Sequence, residues 1–194
     1  MAGITRVNIT DGVSGRGAQR FRDAQRLWPV ANKLYREIFN DMGCSLKDGD
    51  ALLDCAGDEF YAGYDHSLGI DTVLRTEQGN ILTMQEKFLF TPFNTVTVEY
   101  MQNQTTGEHG DWFNIKCQLY FVGYDYPQTG KRFVSWILLD WARVVLATQK
   151  GQINWKLRPN KWDGAKANFR YASIADIPKY CCIRRGGRWQ DGRL

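Results

Sequence analysis

Long apolar runs are missing from this 194-residue chain. No stretch approaches the ~20 consecutive apolar residues that a bilayer-spanning helix needs, so no membrane is expected among its partners. Met1 to Asn8 lacks the apolar h-region of a signal peptide. Cysteine is sparse and odd in number, at five. The thiols are therefore read as reduced, and the protein as cytoplasmic. Cys44 and Cys55 have no second close pair of Cys or His, which argues against a zinc site. Histidine is scarcer still. His66 and His109 both lie in polar stretches and show no partner pattern for nucleophilic catalysis. Ser45 to Ser67 is acidic, with Asp48, Asp50, Asp54, Asp58, Glu59 and Asp65, but it lacks the regular spacing of a calcium loop. Charge of one sign is not in great excess. A net charge of +4 permits nucleic-acid binding without requiring it. Internal repeats and low-complexity segments are also missing.

What is present suits one domain with a sizeable core: 43% of the residues are hydrophobic. The expected organisation is a mobile arm over 1–17, a single domain over 18–180 and a basic tail over 181–194. A helix is expected within Ala18 to Met42, with Val30, Leu34 and Ile38 as its apolar stripe and Gly43 as its stop. Ala51 to Cys55 is expected as a short strand or a helical turn, and short strands are expected at Thr95 to Met101 and Phe169 to Ile174. Trp112 to Tyr124 alternates cleanly and reads as one long strand. Phe133 to Leu139 reads as a strand buried on both faces. Asp140 should cap a short helix, Trp141 to Gln149. From Ile153 onward, cations interleave with aromatics. Arg158, Lys161, Lys166 and Arg170 suit either a nucleic-acid surface or an ordinary half-buried strand.

The most informative stretch is Gly69 to Phe90. Ile70 to Thr76 and Ile81 to Phe90 read as two strands around the turn Glu77-Gln78-Gly79-Asn80, with Gly79 free to take positive φ. Alternation puts Gln85 and Lys87 on one face and Met84, Glu86 and Phe88 on the other. Polar groups embedded in an apolar hairpin are costly unless paired or used.

Helix, hairpin, further strands, helix and strand follow in an order that resembles the PD-(D/E)XK nuclease superfamily. Gly69-Ile70-Asp71 stands where that superfamily has its metal-binding Asp, and Gln85-Glu86-Lys87 where it has its (D/E)-x-K triplet. Gln at the first triplet position is similar to the Gln-x-Lys variant of the Mrr-type restriction endonucleases. Those proteins also carry a Glu on the preceding helix, where this chain has Glu37. The resemblance covers Glu37 to Phe90. It implies a restriction-endonuclease-like α/β (α+β) fold, a central mixed β-sheet flanked by helices. It also implies metal-dependent hydrolysis of DNA phosphodiester bonds, with DNA or another nucleic acid as partner and a homodimer as one assembly. The implied catalytic set is Asp71, Gln85, Lys87 and Glu37. The implied ligands of Mg²⁺ or Mn²⁺ are Asp71, Gln85 and Glu86, the last through its carbonyl or a shifted register.

A hard divalent cation with oxygen ligands would neutralise phosphate charge and activate water. Lys87 would orient the water or stabilise the developing charge. Three other readings stand beside this one. The hairpin is alternatively a surface ribbon with an Asp71–Lys87 salt bridge. The fold is alternatively a catalytically inactive nucleic-acid-binding or assembly module. The chain is alternatively a protein-interaction domain using its aromatic C-terminal part, with no affinity for nucleic acid.

Overall fold

The computed structural model describes residues 16–47, 52–54, 68–91, 93–160 and 166–187. The calls on the arm before Arg16, on Lys161 and on most of the acidic stretch lie outside them. In chain order the elements are helix α1 (Arg16–Asp41), strands β1 (Leu52–Asp54), β2 (Thr72–Arg75), β3 (Ile81–Leu89), β4 (Thr95–Asn103) and β5 (Glu108–His109), and the one-turn helix α2 (Asp111–Asn114). Then come β6 (Leu119–Tyr124), β7 (Ser135–Asp140), helix α3 (Trp141–Gln149), β8 (Lys156–Pro159), β9 (Asn168–Ser173) and β10 (Cys182–Gly187).

Two sheets result. A six-stranded mixed sheet has the order β1-β2-β3-β6-β7-β10, and a four-stranded antiparallel sheet has the order β5-β4-β9-β8. The expected hairpin forms with Thr72 opposite Met84 and Arg75 opposite Ile81. Gly79 takes φ +82° in its turn, a conformation that suits glycine. β3 then pairs with β6 in parallel. Parallel neighbours cannot be joined by a tight turn, so a long crossover must carry the chain back. Residues 90–118 make that crossover and contain β4, β5 and α2.

The main sheet is covered on both faces. Ala31, Tyr35, Ile38 and Phe39 of α1 pack on Leu74, Met84, Leu119, Phe121 and Leu138. On the opposite face, Val73, Tyr120, Val122, Ile137 and Leu139 meet Val96, Val98 and Ala172 of the second sheet and Val144 and Ala147 of α3. β7 is accordingly buried at Ser135, Ile137, Leu138 and Leu139, with Trp136 and Asp140 half-buried, close to what its apolar run predicts. α1 ends in a glycine cap: Gly43 takes φ +71°, its N–H donates to Asn40 O, and the Cys44 N–H reaches Phe39 O. Asp140 caps α3, its Oδ1 accepting from the Arg143 N–H at 3.0 Å.

Three expectations need correction. Trp112 to Tyr124 is not one strand, because residues 111–114 form a helical turn and only 119–124 pair in the sheet. Its alternating pattern spans two environments. Ile115 and Cys117 belong to the core under the second sheet, while Leu119 and Phe121 face α1. The α1 stripe is rotated from Val30-Leu34-Ile38 to Leu27-Ala31-Tyr35-Ile38. The first part of the basic tail is no tail, since β10 pairs antiparallel with β7. Among the described residues no helix is long and apolar enough to cross a membrane.

Candidate functional site

Asp71 stands one residue before β2, and its N–H donates to Met84 O at 2.9 Å. The hairpin register therefore sets it beside Gln85. Its Oδ2 accepts two hydrogen bonds of 2.6 Å, from Gln85 Nε2 and from the Glu86 backbone N–H. Bonds to an ionised acceptor are short and strong, and they lock the carboxylate onto the middle of β3. Gln85 is only 7% exposed. Its amide is oriented by chemistry: a carboxylate needs a donor, so Nε2 faces Asp71 and Oε1 faces away. Oε1 is buried there without a hydrogen-bond partner. Gly69 makes room for it. A Cβ at Gly69 would stand 3.0 Å from Oε1, and the φ of +57° favours glycine independently.

Lys87 follows on the same face. Its Nζ lies 3.7 Å from Asp111 Oδ2 and 5.8 Å from the centre of the Phe169 ring. Asp111 opens α2, which is seated on β4. The Gly110 N–H donates to Tyr100 O, and a Cβ at Gly110 would come within 2.9 Å of the Glu99 backbone. Glu99 is the cross-strand neighbour of Phe169. Burial raises the Glu99 pKa, the Asp111 carboxylate raises it further, and the Lys87 ammonium pulls it back. The second sheet and α2 thus add two carboxyl groups around Lys87. Sequence reasoning missed both. Glu99 alternates in an unremarkable strand, Asp111 sits in a stretch that read as strand, and only the docking of the crossover brings them to Lys87.

Beneath these groups, the Tyr120 hydroxyl donates to Thr97 O at 2.8 Å and ties the two sheets together. Burial pushes its pKa well above the usual phenol range, with Asp111 and Asp71 both adding to the effect. Cys117 is no nucleophile. Its thiol donates to Leu119 O, and burial pushes its pKa up to about 12, opposed by a hydrogen bond from the Gln85 backbone and reinforced by Asp71.

The surface-ribbon reading of the hairpin does not hold. β3 is an interior strand, and Lys87 pairs with Asp111 rather than Asp71. Glu37 does not reach this site. α1 lies on the Met84 face, whereas Gln85 and Lys87 emerge on the other. The rotated stripe turns Glu37 to solvent, its side chain 59% exposed and 3.9 Å from Lys33. Glu86 also points toward the α1 side, as alternation requires, and the register shows no slip that would bring its carboxylate round. Its side chain is thus no ligand beside Asp71, and only its main-chain carbonyl stays eligible.

Compared with protein-family models, curated proteins and solved structures, the chain matches none. The residues themselves carry the reading. Among those described, no group of three or more His, Cys, Asp or Glu side chains is arranged to hold a metal ion. The oxygen atoms here of the kind a hard cation takes are the Asp71 carboxylate and the Glu86 carbonyl, joined by Gln85 Oε1 only if its amide turns over.

Of the basic set Arg158, Lys161, Lys166 and Arg170, the three described residues do not act alike. Arg170 is half-buried, its guanidinium 4.1 Å from the Tyr100 ring centre and 4.7 Å from that of Trp112, so its stacking contacts hold the second sheet together. Arg158 is exposed on the edge strand β8, over the Phe93 ring at 5.3 Å. Lys166 is exposed in the approach to β9.

Proposed function

We propose that this protein is a metal-dependent nuclease of the PD-(D/E)XK type, hydrolysing phosphodiester bonds of DNA. The mixed sheet with helices on its faces is compatible with that fold. The observation that carries the reading is the Asp71 carboxylate fastened to Gln85 and to the Glu86 N–H, with Lys87 next on the same face. Asp71, Gln85 and the Glu86 carbonyl would hold Mg²⁺ or Mn²⁺, which when bound neutralises phosphate charge and acidifies water.

The chain's own groups have distinct roles. Lys87, ion-paired with Asp111, stabilises negative charge on the phosphate. Asp111 positions it. Glu99 accepts the proton of the attacking water, since a carboxylate held above its ordinary pKa is the better base. The Gln85 amide faces Asp71 with its nitrogen, which cannot ligate, so engaging a cation through Gln85 requires the amide to turn over.

Cleavage of plasmid and single-stranded DNA in Mg²⁺ or Mn²⁺, absent in EDTA and lost in Asp71→Ala, is the expected result. Equal turnover in wild type and Asp71→Ala would remove the reading. The second reading, an inactive nucleic-acid-binding module, draws on the Asp71–Gln85 hydrogen bond, which satisfies the carboxylate without a metal. It predicts salt-dependent DNA binding with no cleavage under any of these conditions.

A further inference from the structure

A cavity of about 180 Å³ lies at the far edge of the main sheet, lined by Ile137, Ile174, Ile177, Lys179, Cys182 and Arg185. Its floor is rigid, the three isoleucines being 1%, 4% and 6% exposed. Every polar side chain lining it is a donor. Lys179 and Arg185 are cations with no ion-pair partner among the described residues. Burial raises the pKa of the Cys182 thiol, with Arg185 opposing, so that the thiol stays protonated. Asp176, the nearest carboxylate along the chain, is not part of the lining.

The cations stand on fixed supports. Arg185 lies opposite Ile137 on β10. That strand is seated tightly by its glycines: a Cβ at Gly186 would meet the Trp136 ring at 2.6 Å, and one at Gly187 would meet Val134 O at 2.0 Å. Lys179 begins a 3₁₀ turn just after Pro178. Two exposed cations over an apolar floor, with no carboxylate among the described lining residues, favour an anion, because the low-dielectric floor strengthens attraction. Pockets for drug-sized ligands measure about 300–1,000 Å³, so this smaller space takes a smaller group.

We infer that this cavity binds a phosphate ester, with the oxyanion on Lys179 and Arg185 and the sugar edge against the isoleucines. The site is independent of the nuclease reading and goes beyond it. The test is an NMR titration of the ¹⁵N-labelled full chain with inorganic phosphate, against sodium chloride of equal ionic strength. Saturable shifts of the Ile177, Lys179, Cys182 and Arg185 amides are expected. Arg185→Gln and Lys179→Gln should each weaken the affinity roughly tenfold, as befits loss of a charge-assisted contact. Asp71→Ala should leave it unchanged, which separates this site from the one on β3. Shifts that follow ionic strength alone, or equal affinity in wild type and Arg185→Gln, would overturn the assignment. Competition then names the source. Displacement by a 5′-phosphorylated oligonucleotide assigns a nucleic-acid phosphate, displacement only by a nucleoside monophosphate assigns a free phosphorylated ligand, and displacement by neither refutes the site.

Discussion

Gln85 bonds Asp71 through nitrogen and leaves its oxygen buried without a partner. If a cation uses that oxygen, the amide must rotate, and the side-chain NH₂ signals of Gln85 should move on Mg²⁺ titration while those of surface glutamines stay still. Gln85→Glu puts a second carboxylate against Asp71. It should lower stability without metal through like-charge repulsion and strengthen Mg²⁺ affinity, both read from melts with and without the ion. Glu99 makes a pH prediction. Its folded pKa is raised, so it contributes stability below its unfolded pKa of ~4.3 and loses that contribution as pH rises through the folded value. Glu99→Gln should therefore raise the melting temperature at pH 7 and bring little gain near pH 3.5. The gain stays below about 1 kcal/mol because the group is partly exposed. With a pKa of about 12, Cys117 should hold roughly a thousandfold less thiolate at pH 8 than an ordinary thiol. Timed alkylation with mass mapping should find half-buried Cys44 labelled long before it.

Elements differ in how openly the sequence announces them. The hairpin, the glycine stop of α1 and the Asp140 cap are each written in a few adjacent residues, because turn and cap chemistry is local. Asp140→Ala should accordingly cost about 1 kcal/mol in a denaturant melt. Asp71 beside Gln85 was legible for the same reason, since strand alternation and a tight turn fix their register. Glu37 was misjudged because residues 100° apart on a helix are separated by which face the sheet covers, and Leu27, Ala31 and Tyr35 settle that only after packing. Asp111 and Glu99 were illegible, as their approach to Lys87 depends on how a thirty-residue crossover docks. Gly110 governs that docking. Gly110→Ala should destabilise by about 1–3 kcal/mol through overpacking on the Glu99 backbone. It should also free Lys87 from Asp111, seen as a change in the Lys87 ammonium resonance.

At the scale of the molecule, the two sheets draw on alternating parts of the chain. β4 and β5 come from the crossover between β3 and β6, but their partners β9 and β8 come only after α3. Lys87 therefore has one neighbour, Asp111, from the middle of the chain and another, Phe169, from near its end. During synthesis the hairpin leaves the ribosome early, with Asp71 and Gln85 already within reach of each other. Glu99 acquires its burial only when β9 arrives some seventy residues later. A nascent chain arrested before β9 would thus carry an exposed Lys87 and an ordinary carboxylate at 99. This site cannot begin to work piecemeal: the order of translation withholds it until β9 has been made.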